Sequence, residues 1–294
     1  MKLYDRYEYE EVYNKDLNLL SEESKEDRIE SLRKNDRYSY VVKTITSGDI
    51  VESEIYPTWK NRNDMPRSKR KNKQRAAQKN LNDKNTKKKI VRLVNTNFTN
   101  NDVMVTLTYD DKHLPNEEEA RKDIQNYIRK LRRYKRKEGL SELKYIYVIE
   151  FKKEEEKSKK IRVHHHIIIN KMDRDIIEKL WDKGYANAKR LQSDEFGLEG
   201  MARYIAKDLK GSRRWSASRN LKQPKITINR TKLTKRKVEN MVRNQNVFRE
   251  IFEKTYPNCT YNECEVKYSQ INGGFYLHAK LIKGNRNKYL SKVY

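Results

Sequence analysis

Three consecutive histidines, His164-His165-His166, run directly into Ile167-Ile168-Ile169, and they account for three of the five histidines in the chain. In a strand, successive side chains alternate faces, so His164 and His166 share one face while His165 points the other way. Two neighbouring imidazoles make poor core material and good ligands for a divalent ion. A third ligand is expected from the neighbouring strand, Lys144–Phe151, where Ile146, Val148 and Glu150 lie on one face. Glu150 is the carboxylate among those apolar residues. An antiparallel return through Lys152–Lys160 brings it beside the histidines. Two His and one carboxylate leave open positions on a bound ion, which is what Lewis-acid catalysis needs. The plain alternative is a surface histidine cluster with no ligand.

A tyrosine with a lysine three residues on is the second pattern that can do chemistry. On a helix the two are neighbours, and an ammonium or a metal can stabilise the charge that develops as a phenol attacks a phosphate. Tyr204-Ile205-Ala206-Lys207 has this form, but so do the stretches beginning at Tyr40, Tyr109, Tyr127, Tyr134 and Tyr289. Tyr and Lys are abundant, and the pattern alone does not choose among them.

The elements that must position these groups are legible from periodicity. Val103, Val105, Leu107 and Tyr109 alternate with Met104, Thr106 and Thr108, as in a strand. Asn116 and Glu119 form a candidate capping box for the helix that follows. Ala120, Ile124, Tyr127, Ile128 and Leu131 line one stripe of that helix, Lys122, Arg129, Arg132, Arg133 and Arg136 line the other, and Gly139 stops it. Strands at Lys144–Phe151 and Arg162–Asn170, a helix at Arg174–Lys183, a short strand at Tyr185–Lys189 and a helix at Gly200–Lys210 complete the series. The order β-α-β-β-α-β followed by α predicts an α+β fold. Its ferredoxin-like, RRM-like antiparallel sheet is expected to carry helices on one face and leave the other free.

Before this unit, Tyr38–Thr46 and Ile50–Tyr56 read as a hairpin about Ser47-Gly48-Asp49. Lys60–Lys73 reads as a solvated basic linker, with helix expected in the second half of Lys60–Lys89, where Ala77 and Leu81 and later Ile90, Val91, Leu93 and Val94 appear. Beyond Gly211 the reading is a C-terminal α+β extension, with a helix at Thr234–Glu253 and strands at Glu265–Ser269 and Phe275–Leu281. The segments are therefore 1–60, a hairpin region; 61–100, a basic linker and helix; 101–211, the domain with the chemistry; and 212–294, the extension.

The order Val103–Tyr109, then Arg162–Ile169, then Tyr204–Lys207 resembles the three motifs of rolling-circle replication initiators, which are HUH endonucleases (His-hydrophobe-His). Thr106–Pro115 is similar to replication proteins of small single-stranded DNA phages and related plasmid or prophage elements. The likeness spans about Val103 to Lys210. Relaxases, which place the tyrosine before the histidines, fit less well. The resemblance implies His164, His166 and Glu150 as ligands of Mg2+ or Mn2+, Tyr204 as nucleophile, and Lys207 as the group that positions phosphate or ion. It further implies a single-tyrosine enzyme that nicks and rejoins single-stranded origin DNA through a 5′-phosphotyrosine and works with a host helicase and DNA polymerase. The departure from the family pattern is His165, where the family has a hydrophobic residue; strand alternation keeps it off the ligand face.

Charge agrees with a nucleic-acid partner. Lys and Arg number 68 against 42 Asp and Glu, a formal charge of +26, and a polyanion is the natural answer to such a surplus. Arg129, Arg132, Arg133, Arg136, Arg213 and Arg214 are the expected phosphate contacts, and Trp215 the expected stacking surface. No apolar run approaches the ~20 residues that span a bilayer, and Met1–Asp5 lacks a leader's apolar stretch. Cys259 and Cys264 read as ordinary thiols, so a cytoplasmic setting in a bacterial host is expected. Two rival readings share the same charge: a transposase with the same chemistry, which must act on paired hairpin ends, and a non-catalytic binding protein, which must not cleave.

Overall fold

The computed structural model of the chain describes residues 15–16, 20–34, 38–60, 76–150, 163–207, 215–269 and 274–284. In chain order these form β1 (Lys15–Asp16), α1 (Glu22–Lys34), β2 (Tyr38–Ser47), β3 (Ile50–Trp59), α2 (Ala76–Asn97), β4 (Val103–Tyr109) and α3 (Glu117–Lys137). β5 (Tyr145–Glu150), β6 (His164–Ile169), α4 (Arg174–Lys179), β7 (Gly184–Arg190), α5 (Glu199–Ile205), β8 (Trp215–Ala217) and β9 (Lys225–Asn229) follow. The last elements are α6 (Lys235–Arg243), α7 (Phe248–Thr255), β10 (Cys259–Tyr268) and β11 (Phe275–Lys283). The chain divides into one unit of Met1–Thr86 with Pro224–Tyr294 and another of Lys87–Gln223.

The Lys87–Gln223 unit is built on a five-stranded sheet in the order β7-β4-β6-β5-β8, with every pairing antiparallel. Without the edge strand β8, the chain order β4-α3-β5-β6-α4-β7 maps onto the spatial order β7-β4-β6-β5, which is the ferredoxin-like arrangement. The histidine strand β6 therefore lies between β4 and β5. α3 starts as expected: Asn116 Oδ1 accepts from the backbone of Glu118 and Glu119, and Glu119 Oε2 accepts from Asn116 N. Three acidic residues in its first turn and three basic ones in its last match the helix dipole.

Alternation along the strands gives this sheet two buried faces. Val105, Leu107 and Tyr109 of β4, Ile149 of β5 and Ile167 of β6 pack with Ile124, Tyr127, Ile128 and Leu131 of α3 and Ile177 of α4. Met104, Ile146, Val148 and Ile168 face the other way, against Ile90, Val91, Leu93 and Val94 of α2 and Ala202 and Ile205 of α5. The expectation of helices on one face alone is thus corrected. Four closely spaced apolar residues in α2 form a stripe that must be buried, and the second face of the sheet buries it. The helix expected at Gly200–Lys210 is α5, Glu199–Ile205, followed by a turn at Ala206 and Lys207. Residues 208–214, Leu209, Arg213 and Arg214 among them, lie outside the described residues, as do Lys152–Lys160 and Tyr289.

The other unit has a six-stranded sheet in the order β1-β10-β11-β3-β2-β9. The hairpin β2–β3 and the strands β10–β11, read from sequence in separate segments, join through the β11–β3 pairing of Leu277–Ile282 with Ile50–Ile55. Their shared core includes Val42, Val51, Ile55, Leu277, Ala279 and Leu281, covered by Val238, Met241 and Val242 of α6 and by Phe248 and Phe252 of α7. The single helix expected at Thr234–Glu253 is two. Asn244 ends α6, and its side chain accepts from Asn246 N to start a short 3-10 turn. Asn competes for local backbone donors and so ends helices rather than extending them.

Candidate active site

Strand register places the histidines. His164 pairs with Glu150 of β5 and Thr108 of β4, and His166 pairs with Val148 and Thr106. Directly paired residues share a face, so Thr106, Thr108, Glu150, His164 and His166 all project to the α2/α5 side, while His165 projects to the α3 side. Glu150 Oε2 lies 3.2 Å from His166 Nε2, and the rings of His164 and His166 have centroids 6.4 Å apart. Thr106 Oγ1 is 3.2 Å from His166 Nδ1, so the other ring nitrogen is left to face the carboxylate. Such an outer partner fixes the orientation of a ligating imidazole.

α5 delivers the tyrosine. Its Ala202 and Ile205 are buried against the sheet and hold the helix in place, and Tyr204 turns outward with 60 % of its surface exposed. The Tyr204 ring meets the His166 ring edge-on with centroids 5.6 Å apart. Val148, Glu150, His166, Tyr204, Ile205 and Lys207 line one pocket of about 120 Å³. Four of the expected site residues thus border the same small space. Lys207 reaches it although it follows the last helical residue, because the turn at Ala206–Lys207 stays tight: Lys207 N donates to the Tyr204 carbonyl at 3.2 Å.

The donor set suits a hard divalent ion: one carboxylate and one imidazole nitrogen already face each other, with a second imidazole on the same face. The ligand atoms of Glu150, His164 and His166 do not all lie within 4.8 Å of one another; among the described residues, that spacing is met by Glu52, Glu54 and His278. This second cluster was not found by sequence reasoning. Glu52 and Glu54 at i, i+2 share a strand face, which is a local signal, but His278 arrives through the long-range β3–β11 register. There Glu52 Oε2 meets His278 Nε2 at 3.0 Å, Lys43 Nζ donates to Glu54 Oε2 at 3.0 Å, and Lys280 pairs with Glu263 at 2.9 Å. A row of alternating charges across a sheet stabilises it without a metal. Thr106 is not among the expected site residues, although alternation in Val103–Tyr109 sets it on the face of His164 and His166.

Under the site, His165 is completely buried. Its Nε2 lies 2.8 Å from the Tyr109 hydroxyl, its Nδ1 has no hydrogen-bond partner, and Trp181 packs edge-on to it at 5.9 Å. Burial, aided by the neighbouring His166 and His164, drives the imidazole down to about 3, so it is neutral at physiological pH. Burial likewise pushes the Tyr109 phenol well above its ordinary range, and the nearby Asp123 carboxylate adds to this. His165 therefore occupies a core position, on the face of the sheet away from His164 and His166.

The basic face of α3 lies on the opposite side of the sheet from the histidine pair. Arg129, Arg132, Arg133 and Arg136 are exposed there. Trp215, by contrast, is on the site's own face: it pairs with Val148 in register and joins the core on the α2 side. Among the described residues, no helix is long and apolar enough to cross a membrane.

No curated protein and no solved structure matches the chain. Residues 102–212 match a family of replication-associated proteins, the one that takes its name in part from ORF2. That stretch contains the ferredoxin-like sheet, the three histidines and α5. The likeness covers this part of the chain and suggests a role in the initiation of DNA replication.

Proposed function

We propose that the protein is a site-specific, metal-dependent endonuclease that nicks and rejoins single-stranded DNA, starting rolling-circle replication with Tyr204 as nucleophile. The observation that carries this reading is the pocket shared by Glu150 of β5, His166 of β6, and Tyr204 and Lys207 of α5 and its closing turn, which offer a nucleophile, a cation and two metal-type ligands together. A divalent ion held by Glu150, His164 and His166 would supply Lewis-acid polarisation of the scissile phosphate.

The chain's own residues do the rest. Tyr204 Oη forms a bond to phosphorus as the bond from phosphorus to the 3′-oxygen breaks; the phenol loses its proton and the departing 3′-oxygen gains one. Lys207 holds the phosphate and offsets its charge, and the exposed position of Tyr204 lets the phenol line up opposite the leaving oxygen. The 5′ side of the nick stays on Tyr204, and the free 3′-hydroxyl serves a host polymerase working behind a host helicase. Attack by a 3′-hydroxyl on the phosphotyrosine reverses the step and closes a circle.

Incubating the chain with labelled single-stranded origin DNA and Mn2+, then resolving products under denaturing conditions, tests the proposal. A labelled covalent adduct and a shortened strand with a free 3′ end are expected. Tight binding with no adduct would leave a non-catalytic nucleic-acid-binding protein in its place.

A further inference from the structure

Two lines of contact run from the pocket to α2. In the first, Lys207 lines the pocket and its carbonyl accepts a hydrogen bond from Lys87 Nζ at 3.0 Å. In the second, Val148 lines the pocket and pairs with Trp215, whose ring centre lies 5.7 Å from Lys89 Nζ. Lys87 and Lys89 are exposed, while Ile90, Val91, Leu93 and Val94 anchor the same stretch of helix in the core.

The position of these lysines is fixed at both ends. Asn95 Oδ1 accepts from Leu198 N at 2.7 Å where α5 begins, and Lys87 binds the Lys207 carbonyl just past where α5 ends. At 1.5 Å per residue, Lys87 and Asn95 are ~12 Å apart along α2, close to the ~13.5 Å from Leu198 to Lys207. The two helices therefore lie antiparallel and in register. α2 delivers cations next to the pocket, and Glu199, the carboxylate of α5, is already paired with Arg203 at 2.5 Å.

We infer that single-stranded DNA reaches the pocket along α2, with phosphates against Lys87 and Lys89 and a base stacked on Trp215, rather than along the basic face of α3. Lysines interleaved with an aromatic ring are the composition of a single-strand track. The α3 arginines lie behind the sheet, where a strand bound at the histidines does not pass. This inference rests on the proposed nicking activity, because it assigns a path to that activity's substrate.

The test is the salt dependence of binding a fluorophore-labelled oligo(dT), read by anisotropy in a Tyr204→Phe chain so that no covalent trapping occurs. Each phosphate neutralised on a single strand contributes ~0.7 to the slope of log K against log salt. Lys87→Gln/Lys89→Gln should make the slope ~1.4 shallower, about 25-fold weaker binding at 0.1 M salt if the two lines meet at 1 M. Lys87→Arg/Lys89→Arg should restore the parental slope, which a merely structural defect would not do. Arg129→Gln/Arg133→Gln on α3 should leave it unchanged. If the α3 pair flattens the slope and the α2 pair does not, the inference is overturned while the nicking proposal stands. Absence of any salt-dependent binding by the parent would overturn the inference, and adduct formation by the wild-type chain on origin DNA, scored separately, tests the nicking proposal alone.

Discussion

Replacing Tyr109 by Phe removes one oxygen, and the structure assigns that oxygen two partners. His165 Nε2 lies 2.8 Å away, and the Asp123 carboxylate bonds the same hydroxyl. Because a carboxylate only accepts, the hydroxyl donates to Asp123 and accepts from His165 Nε2–H, which leaves Nδ1 as the bare, unpartnered lone pair. Tyr109→Phe strands a completely buried imidazole N–H, while Asp123 retains Lys183 at 3.3 Å. Leaving one such donor unsatisfied costs about 1–3 kcal/mol. His165→Leu is different: the Tyr109 hydroxyl keeps Asp123, a polar ring leaves the core, and the expected change is under about 1 kcal/mol. Adding His165→Leu to Tyr109→Phe should therefore recover about 1–2 kcal/mol relative to Tyr109→Phe alone, since no stranded N–H remains. Urea unfolding followed by Trp181 fluorescence, with Trp59 and Trp215 changed to Phe, reads this core locally: Trp181 packs 5.2 Å from Tyr109 and 5.9 Å from His165. A double variant less stable than Tyr109→Phe would refute the hydrogen-bond assignment. Loss of nicking in a stable His165→Leu chain would refute its placement off the ligand face.

Further outcomes follow from the same geometry. His164→Ala and His166→Ala should each abolish metal-dependent nicking while DNA affinity, measured by anisotropy, stays within a few-fold; an active His164→Ala chain would remove that residue from the ligand set. Thr106→Val frees His166 Nδ1, and metal affinity should fall ~10–100-fold by titration calorimetry, with no change expected if the threonine only fills space. Gly184 has φ +143° and pairs with Tyr109, and a Cβ there would sit 2.4 Å from the Thr108 carbonyl oxygen. Gly184→Ala should lower stability by about 2–5 kcal/mol in urea unfolding, because backbone strain adds to overpacking. Gly139→Ala meets no atom within 4 Å and should cost only about 1–2 kcal/mol for its φ of +62°.

Local patterns carried the ferredoxin-like unit into view. Strict alternation in Val103–Tyr109, the apolar stripe and capping box of α3, and three histidines entering an isoleucine run are all short-range signals, and each corresponds to an element of the sheet or its cover. That Glu150 comes beside His164 and His166 was also legible, since alternation puts all three on one face once the two strands are paired antiparallel; the register of Glu150 with His164 came from the structure. What was not legible depended on distant contacts. A helix through Ala77, Leu81 and Ile90–Val94 was legible, but the role of α2 on the second face of the sheet shows only once α5 is laid beside it. Likewise no local signal joins Ile55 to Leu277, so the six-stranded sheet and the Glu52–His278 contact had to await the structure. The break at Asn244 falls inside the single helix expected at Thr234–Glu253, because Val238, Met241 and Val242 before it and Phe248, Ile251 and Phe252 after it both carry helical spacing.

The central claim is that one particular phenol, Tyr204, bonds to DNA. Trapping the adduct with labelled origin DNA and Mn2+, digesting it and sequencing the labelled peptide tests this directly. The label should lie on the peptide containing Tyr204, and Tyr204→Phe should bind DNA and metal normally yet yield no adduct, because it keeps the ring that packs on His166 and loses only the attacking oxygen. Label on any other tyrosine, or an adduct that survives in Tyr204→Phe, would contradict the account.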